Sequence, residues 1–239
     1  MNNFKYSGNE LKLFSYAKNW KKYWTSRITP YIGETVLEVG AGTGSNTYLL
    51  WRKHYKRWLC LEPDTQLAEN LSIFLKKQLY TSNYEIINGT IHNLSHHDLF
   101  DTILYIDVLE HIENDRAELD KIKKHLKVNG ILIILAPAHQ WLFSSFDKGI
   151  GHYRRYNRRV LRKLMPYGFE ELKMEYLDSI GICVSLGNSI FLKKDDPTHK
   201  QIMIWDSFII PISKYIDAFT FHHIGKSILT VWRKNERIS

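Results

Sequence analysis

The 239-residue chain has only two cysteines, Cys60 and Cys183, and they form no spacing pattern. That excludes a disulfide framework and a zinc cluster as organising principles, and the expected setting is a reducing cytoplasm. Long apolar runs are also missing. No stretch reaches the ~18 residues of a membrane-spanning helix, and the nearest candidates, 180–192 and 202–213, are separated by a polar segment. Residues 1–24 carry Lys5, Lys12, Lys18, Lys21 and Lys22 without an apolar core, so they do not read as a signal peptide. Acid is in the minority, with 25 Asp+Glu against 33 Lys+Arg and a formal net charge of +8. Such a field favours an anionic partner, whether nucleic acid, a phosphorylated small molecule or an acidic membrane surface.

Ordinary globular values, 44% hydrophobic and 24% charged, exclude disorder. With no repeat, low-complexity tract or linker, residues 1–239 read as a single domain. Short β-branched runs alternate with longer amphipathic stretches, the pattern of a parallel sheet covered by helices. Strands are expected at 35–39, 58–62, 84–88, 102–107 and 130–136, with helices at 45–55, 65–78 and 114–126 between them. Gly130 reads as the stop signal after the third of these helices. An aromatic, lysine-rich helical segment at 10–24 precedes the sheet and belongs to an N-terminal cap over 1–30. After the fifth strand the chain enters a lid or acceptor loop, 137–165. A strand at 171–177, an insertion over 183–223 and a final strand at 227–233 follow.

The run Glu38-Val39-Gly40-Ala41-Gly42-Thr43-Gly44 takes a buried strand straight into three glycines and then a helix. Glycines there allow positive φ and close approach of a ligand to the backbone, and the helix start offers free N–H donors. The spacing is G-x-G-x-G and not the dinucleotide G-x-G-x-x-G, because position 45 is Ser. A tight turn with no ligand is the competing reading. Glu62 lies 22 residues beyond Gly40, near where an acid binds a ribose diol in such sheets.

These residues, with Glu62-Pro63 and Asp107-Val108-Leu109-Glu110-His111-Ile112, resemble the class I S-adenosylmethionine-dependent methyltransferases over most of the chain. The resemblance implies an α/β, Rossmann-like fold: a seven-stranded, mostly parallel sheet with helices on both faces and the last strand antiparallel. It implies S-adenosylmethionine as cofactor and S-adenosylhomocysteine as product. Glu38, Gly40, Ala41, Gly42 and Gly44 would hold the methionine end and Glu62 the ribose. Pro63, Thr90 and Ile91 would flank the adenine, and Asp107, Val108 and His111 would close over the cofactor. Thr90 stands where many relatives carry an Asp that holds the adenine amino group, so backbone groups of Gly89 would substitute.

The acceptor is approached by exclusion. The turn after the fourth strand lacks the N/D-P-P-Y signature of amino-methylating nucleic-acid enzymes, and neither cysteine stands where a pyrimidine C5 nucleophile is needed. Nucleic acid is therefore disfavoured as a partner. His92, His96, His97 and Asp98 have no companions at ligand spacing, so no metal is expected.

The block from Ala136 through His139 and Asp147 to Gly151-His152-Tyr153-Arg154-Arg155-Tyr156 resembles a bacterial subgroup associated with glycan, lipid-linked or natural-product assembly. His152, and second His139, are the candidate bases for an acceptor hydroxyl. Asp147, Tyr153, Arg154 and Arg155 are candidate acceptor contacts, the arginines for a phosphate or carboxylate. Trp20 would cover the pocket. In the competing reading His152 and Arg154 fasten the lid to the sheet, and Trp20 is core.

The apolar insertion around Trp205, Phe208 and Ile212 reads as a lipid-facing or acceptor-binding patch, or as a dimer interface. Lys193, Lys194, Lys200 and Lys214 beside it fit a peripheral membrane contact. The expected activity is methyl transfer to a small-molecule acceptor, an oxygen of a glycan, lipid-linked or secondary-metabolite compound, anionic ones included. An RNA or protein methyltransferase and a non-catalytic S-adenosylmethionine-binding module are the alternatives.

Overall fold

The computed structural model describes residues 10–79, 83–187 and 198–235. Val36, Trp58, Cys60, Leu104, Ile133, Leu135, Leu229 and Val231 are buried on one face of a sheet. The intervening Leu37, Leu59, Leu61, Ile103, Tyr105, Leu132 and Ile134 are buried on the other. Strands apolar on both faces need helices on both sides, which is why they read as near-continuous hydrophobic runs. The strands are β1 (Thr35–Val39), β2 (Arg57–Glu62), β3 (Tyr84–Asn88), β4 (Phe100–Ile106), β5 (Leu126–Pro137), β6 (Phe169–Leu177) and β7 (Ser227–Lys234). They form one seven-stranded sheet in the order β3-β2-β1-β4-β5-β7-β6. β1 to β5 pair in parallel, and β7 runs antiparallel to both β5 and β6. The expected Rossmann-like sheet with its antiparallel last strand is therefore present.

The helices are α1 (Glu10–Phe14), α2 (Lys18–Ile28), α3 (Ser45–Leu50), α4 (Thr65–Gln78), α5 (Asp115–Ile122), α6 (Ser145–Gly149), α7 (Arg158–Leu164), α8 (Ser179–Gly187), α9 (His199–Ile204) and α10 (Ile210–Phe219). Among the described residues, side-chain caps start five of them: Asp64 accepts from the Leu67 N–H, Asn114 from Ala117, Ser144 from Asp147, Asn157 from Val160 and Thr198 from Gln201.

Tertiary packing overrides local pattern in three places. The 10–24 segment breaks into α1 and α2. The helix expected over 45–55 stops at Leu50, because Trp51 turns into a cluster with Tyr55, Trp58 and Tyr84. Gly130 is not a helix stop but lies within β5. The register jumps from Phe100↔Leu126 to Thr102↔Ile131, so 127–130 curl out, and Asn129 takes φ +60° to make the turn. A Cβ at Gly130 would sit 2.5 Å from Leu126 Cδ2, so only glycine fits there.

The described part of the insertion is tied to the N-terminal helices by buried carboxylates. Asp206 accepts the Asn19 and Trp20 N–H groups at the start of α2. Asp217 accepts the Tyr23 hydroxyl and the Asp178 and Ser179 N–H groups. Lys193 and Lys194 lie outside the described residues. Truncating Asp217 would orphan three buried donors, each costing about 1–3 kcal/mol. Asp217→Ala is accordingly expected to lower the thermal midpoint by roughly 10 °C, and a shift below about 2 °C in calorimetry would show the junction to be dispensable.

Candidate active site at the carboxyl ends of the strands

β1 ends in a turn where Gly40, Gly42 and Gly44 all have positive φ, +66°, +56° and +78°. Such angles disfavour a Cβ, and packing reinforces the choice. A Cβ at Gly40 would lie 2.7 Å from Val108 Cγ2, and one at Gly44 2.5 Å from Leu71 Cδ1. Beside the turn, both Glu62 oxygens accept loop N–H groups, from Gly42 at 2.7 Å and Asp64 at 3.0 Å. Each keeps a further lone pair for a ligand hydroxyl. Burial raises the Glu62 pKa, and these two bonds oppose the rise.

A cavity of about 230 Å3 opens over the strand ends. Gly40, Ala41 and Gly42 form one wall, and Trp20, Lys21 and Trp24 of α2 another. Lys21 Nζ donates to Ser45 Oγ at 2.6 Å. Burial lowers its pKa, while the Asp107 and Glu38 charges act the other way. Asp107, at φ +54°, presents its carboxylate to this space, and Trp205 comes in from the insertion.

The lid reaches the cavity through one buried carboxylate. Asp147 accepts from Arg155 Nε at 2.9 Å and Nη2 at 2.8 Å, and from His152 Nδ1 at 2.9 Å. Although burial works against the charged form, the bonds from His152 and Arg155 hold the Asp147 carboxyl well below the usual range. His152 Nδ1 is thus the donor, and in the neutral imidazole Nε2, 3.9 Å from Glu110 Oε1, is the acceptor. Glu110 is wholly buried, and its carboxyl is pushed up by burial and by the neighbouring Asp107.

Of the residues expected at the cofactor, Gly40, Ala41, Gly42, Asp107 and His111 line the cavity. Gly44, Glu62 and Val108 shape the turn beside it. Glu38 is buried beneath, accepting the Thr47 hydroxyl and Trp58 Nε1. Pro63, Thr90 and Ile91 are not among the residues lining it; Thr90 caps a short turn by accepting from the His92 N–H. Of the residues expected at the acceptor, His152, Asp147, Arg155 and Trp20 line the cavity. Arg154 is held by Asp115 at 2.7 Å and by the Glu113 carbonyl, and its guanidinium lies over the half-exposed Tyr153 ring. His139 stacks on Tyr176 with ring centroids 4.7 Å apart, outside the cavity lining. Lys21, Glu110, Asp178, Trp205 and Lys226 also line the cavity. Glu110 stood within the Asp107–Ile112 motif as a signal, whereas Asp178 and Lys226 had none.

Residues 37–134 match the family described as Methyltransferase domain. Ubiquinone biosynthesis O-methyltransferase of Rickettsia typhi is 33% identical over 66 residues, 28% of this chain and 26% of that protein, so the match spans about a quarter of the relative. A chain of the Haloferax volcanii complex between the Trm112 methyltransferase activator and a methyltransferase superposes with a TM-score of 0.65 at 14% identity, over 96% of this chain and 97% of that one. The N-methyltransferase NodS of Bradyrhizobium japonicum, in complex with S-adenosylhomocysteine, gives 0.57 at 15% identity over 90% and 85%.

Burial pushes the Glu38 carboxyl up to about 7 from 4.5, against the Thr47 and Trp58 bonds. Between those values the folded chain binds more protons than the unfolded one, so stability falls as pH rises and Glu38 ionises. Relative to Glu38→Gln, the wild type is expected to lose about 3 kcal/mol of unfolding free energy between pH 4.5 and 8. A difference independent of pH in urea titrations would contradict this account.

Proposed function

We propose that this chain, whose residues 37–134 match a methyltransferase domain and whose sheet is that of class I methyltransferases, methylates an oxygen of a small-molecule acceptor at the expense of S-adenosylmethionine. The fit to the cofactor rests on the glycine turn, where three positive φ angles leave a backbone cradle open to the cavity. Gly40, Ala41, Gly42, Glu62 and Asp107 would hold the cofactor, which supplies a methyl group on a sulfonium. The observation that carries the acceptor chemistry is the Asp147–His152 pair in the same cavity. Asp147 fixes the tautomer, and His152 Nε2 takes up the proton of an acceptor hydroxyl. Trp20, Trp24 and Trp205 exclude water from the reacting atoms. Arg155, whose Nη1 has no hydrogen-bond partner among the described residues, and Lys226 favour an acceptor bearing a phosphate or carboxylate.

His152→Ala is expected to retain S-adenosylhomocysteine binding in calorimetry while turnover falls about 10²–10⁴-fold. The assay would follow S-adenosylhomocysteine release over a panel of glycans and lipid-linked sugars. Undiminished turnover would remove the base, and no binding of the product by the wild type at millimolar concentration would remove the cofactor. Persistent absence of turnover with intact binding would favour a non-catalytic module.

A second observation bears on the acceptor's source. Phe208, Ile212, Tyr215 and Phe219 form one helical stripe and are 52–84% exposed, while Ile202, Ile210, Ser213 and Asp217 face inward. With Lys200 and Lys214 nearby, this stripe fits a peripheral contact with an anionic lipid surface. The wild type is expected to co-float with anionic vesicles and the Phe208→Ser/Phe219→Ser variant to bind at least ~10-fold more weakly. Equal flotation of the two would sink the membrane reading.

A further inference from the structure

Glu110 has no exposed surface, and among the described residues neither of its carboxylate oxygens has a hydrogen-bond partner. A buried carboxyl ionises readily when it is paired or bound to a metal; the nearby Arg155 directs Nε and Nη2 at Asp147, and its Nη1 makes no hydrogen bond to Glu110. What surrounds Glu110 instead is a pair of imidazoles. His111 follows it in the 3-10 turn Leu109–His111 that β4 runs into, and its ring hydrogen-bonds the Gly151 backbone. His152 arrives from the lid, held at Nδ1 by Asp147, with Nε2 3.9 Å from Glu110 Oε1. The two rings meet edge to face with centroids 4.5 Å apart. One ligand atom from each of the three residues lies within 4.8 Å of the others, and all three side chains border the cavity.

We propose that Glu110, His111 and His152 form a binding site for a divalent transition-metal ion, with its remaining coordination positions open to the cavity. Two imidazoles and one carboxylate suit Zn2+, Mn2+ or Fe2+ better than Mg2+ or Ca2+, which prefer all-oxygen sets. Donors on a tetrahedral ion with ~2.1 Å bonds lie about 3.4 Å apart, so the three need to close by about an ångström on binding. The supporting contacts are those that orient metal-bound histidines: a carboxylate on the outer nitrogen of His152 and a backbone carbonyl for His111. The Tyr153 N–H donates to the Glu110 carbonyl at 2.9 Å, so the lid strand carrying His152 is already fastened to the turn carrying the other two ligands.

The sequence-based expectation of no metal rested on His92, His96 and His97, none of which belongs to this cluster. The proposal rests on the methyltransferase reading only for the ion's use. There the ion would lower the pKa of a bound acceptor hydroxyl as a Lewis acid, with the proton released to solvent; His152 would be its ligand when metal is bound and would take the proton itself in the metal-free chain.

The test uses the full chain after chelator treatment and dialysis. Zn2+ and Mn2+ are titrated by calorimetry, and Co2+ by its visible absorption. One ion per chain is expected, with a dissociation constant of about 10 µM or tighter, corresponding to roughly 7 kcal/mol. Co2+ should give d–d bands that shift with the imidazole ligands. Glu110→Gln and His111→Ala should each weaken binding at least ~10-fold, whereas His96→Ala, on an exposed turn, should not. Glu110→Gln keeps the shape of a buried, unpartnered carboxyl and is expected to melt no lower than the wild type without metal, so its loss of binding is not a loss of fold. Absence of saturable one-to-one binding by the wild type, or equal binding by Glu110→Gln and His111→Ala, overturns the proposal. S-adenosylhomocysteine titrated into the same wild-type sample reads the methyltransferase assignment separately. Metal without product binding would leave the site and sink the function, and the reverse would leave the function and sink the site.

Discussion

The lid is ordered around Asp147. This carboxylate accepts two bonds from Arg155, one from His152 and two from Ser144, the latter closing a capping box at the start of α6. Charge-assisted bonds of this kind, shielded from solvent, are worth about 1.5–3 kcal/mol each. An exposed pair such as Lys56–Glu34 is screened by solvent and contributes little. The energy difference places the strength of the lid at its inner edge, where His152 borders the cavity. Two further ties complete the strap. Tyr156 donates its hydroxyl to Asp115 and the Leu109 carbonyl, and Ala138 bridges to Tyr156 beside β5. The competing sequence readings of this block therefore need not compete. Arg154 and Arg155 fasten the lid, and their fastening is what holds the histidine at the cavity.

The basic excess of the chain and the charge of the cavity are different quantities. Four carboxylates, Asp107, Glu110, Asp147 and Asp178, line the cavity against the cations of Lys21, Arg155 and Lys226. A net charge of +8 can raise the local concentration of an anion near the protein, but it does not supply a positive pocket. An anionic acceptor would have to find Arg155 or Lys226 specifically, and both already face carboxylates, Asp147 and Asp178. Asp107 and Glu110 have the opposite need: a cation, or protons, to offset them. That asymmetry, more than the overall charge, limits what can occupy the space.

Much of the sheet could be read from sequence because parallel strands buried on both faces leave dense apolar runs: 35–39, 65–78 and 84–88 agree at both ends with their expected elements. The glycine turn was equally legible, since Gly40 and Gly44 are demanded both by φ and by the side chains packed on them. What could not be read is whatever depends on distant pairs. Asp206 binds residues 187 and 186 positions away, at the start of α2, and Asp178 and Lys226 come together only because β6 and β7 end side by side. Glu110 shows a subtler failure. Its position was within the recognised motif, but only burial without a partner distinguishes it from an ordinary acid after a strand.

The insertion has two faces with different tasks, and a local irregularity separates them. Between α9 and α10 the helix widens into a five-residue π turn, Trp205–Ile209. Such a turn accommodates an extra residue and rotates the following face relative to the preceding one. Trp205 and Asp206 consequently point inward, the indole donating to Asp178 at 2.9 Å while the carboxylate caps α2. Phe208 already faces outward and begins the exposed stripe. Anchoring the inner face through Asp206 and Asp217 fixes the direction of the outer one, so an apolar surface contacted there lies against the element that roofs the cavity. That geometry fixes the direction of the stripe relative to Trp205, which lines the cavity.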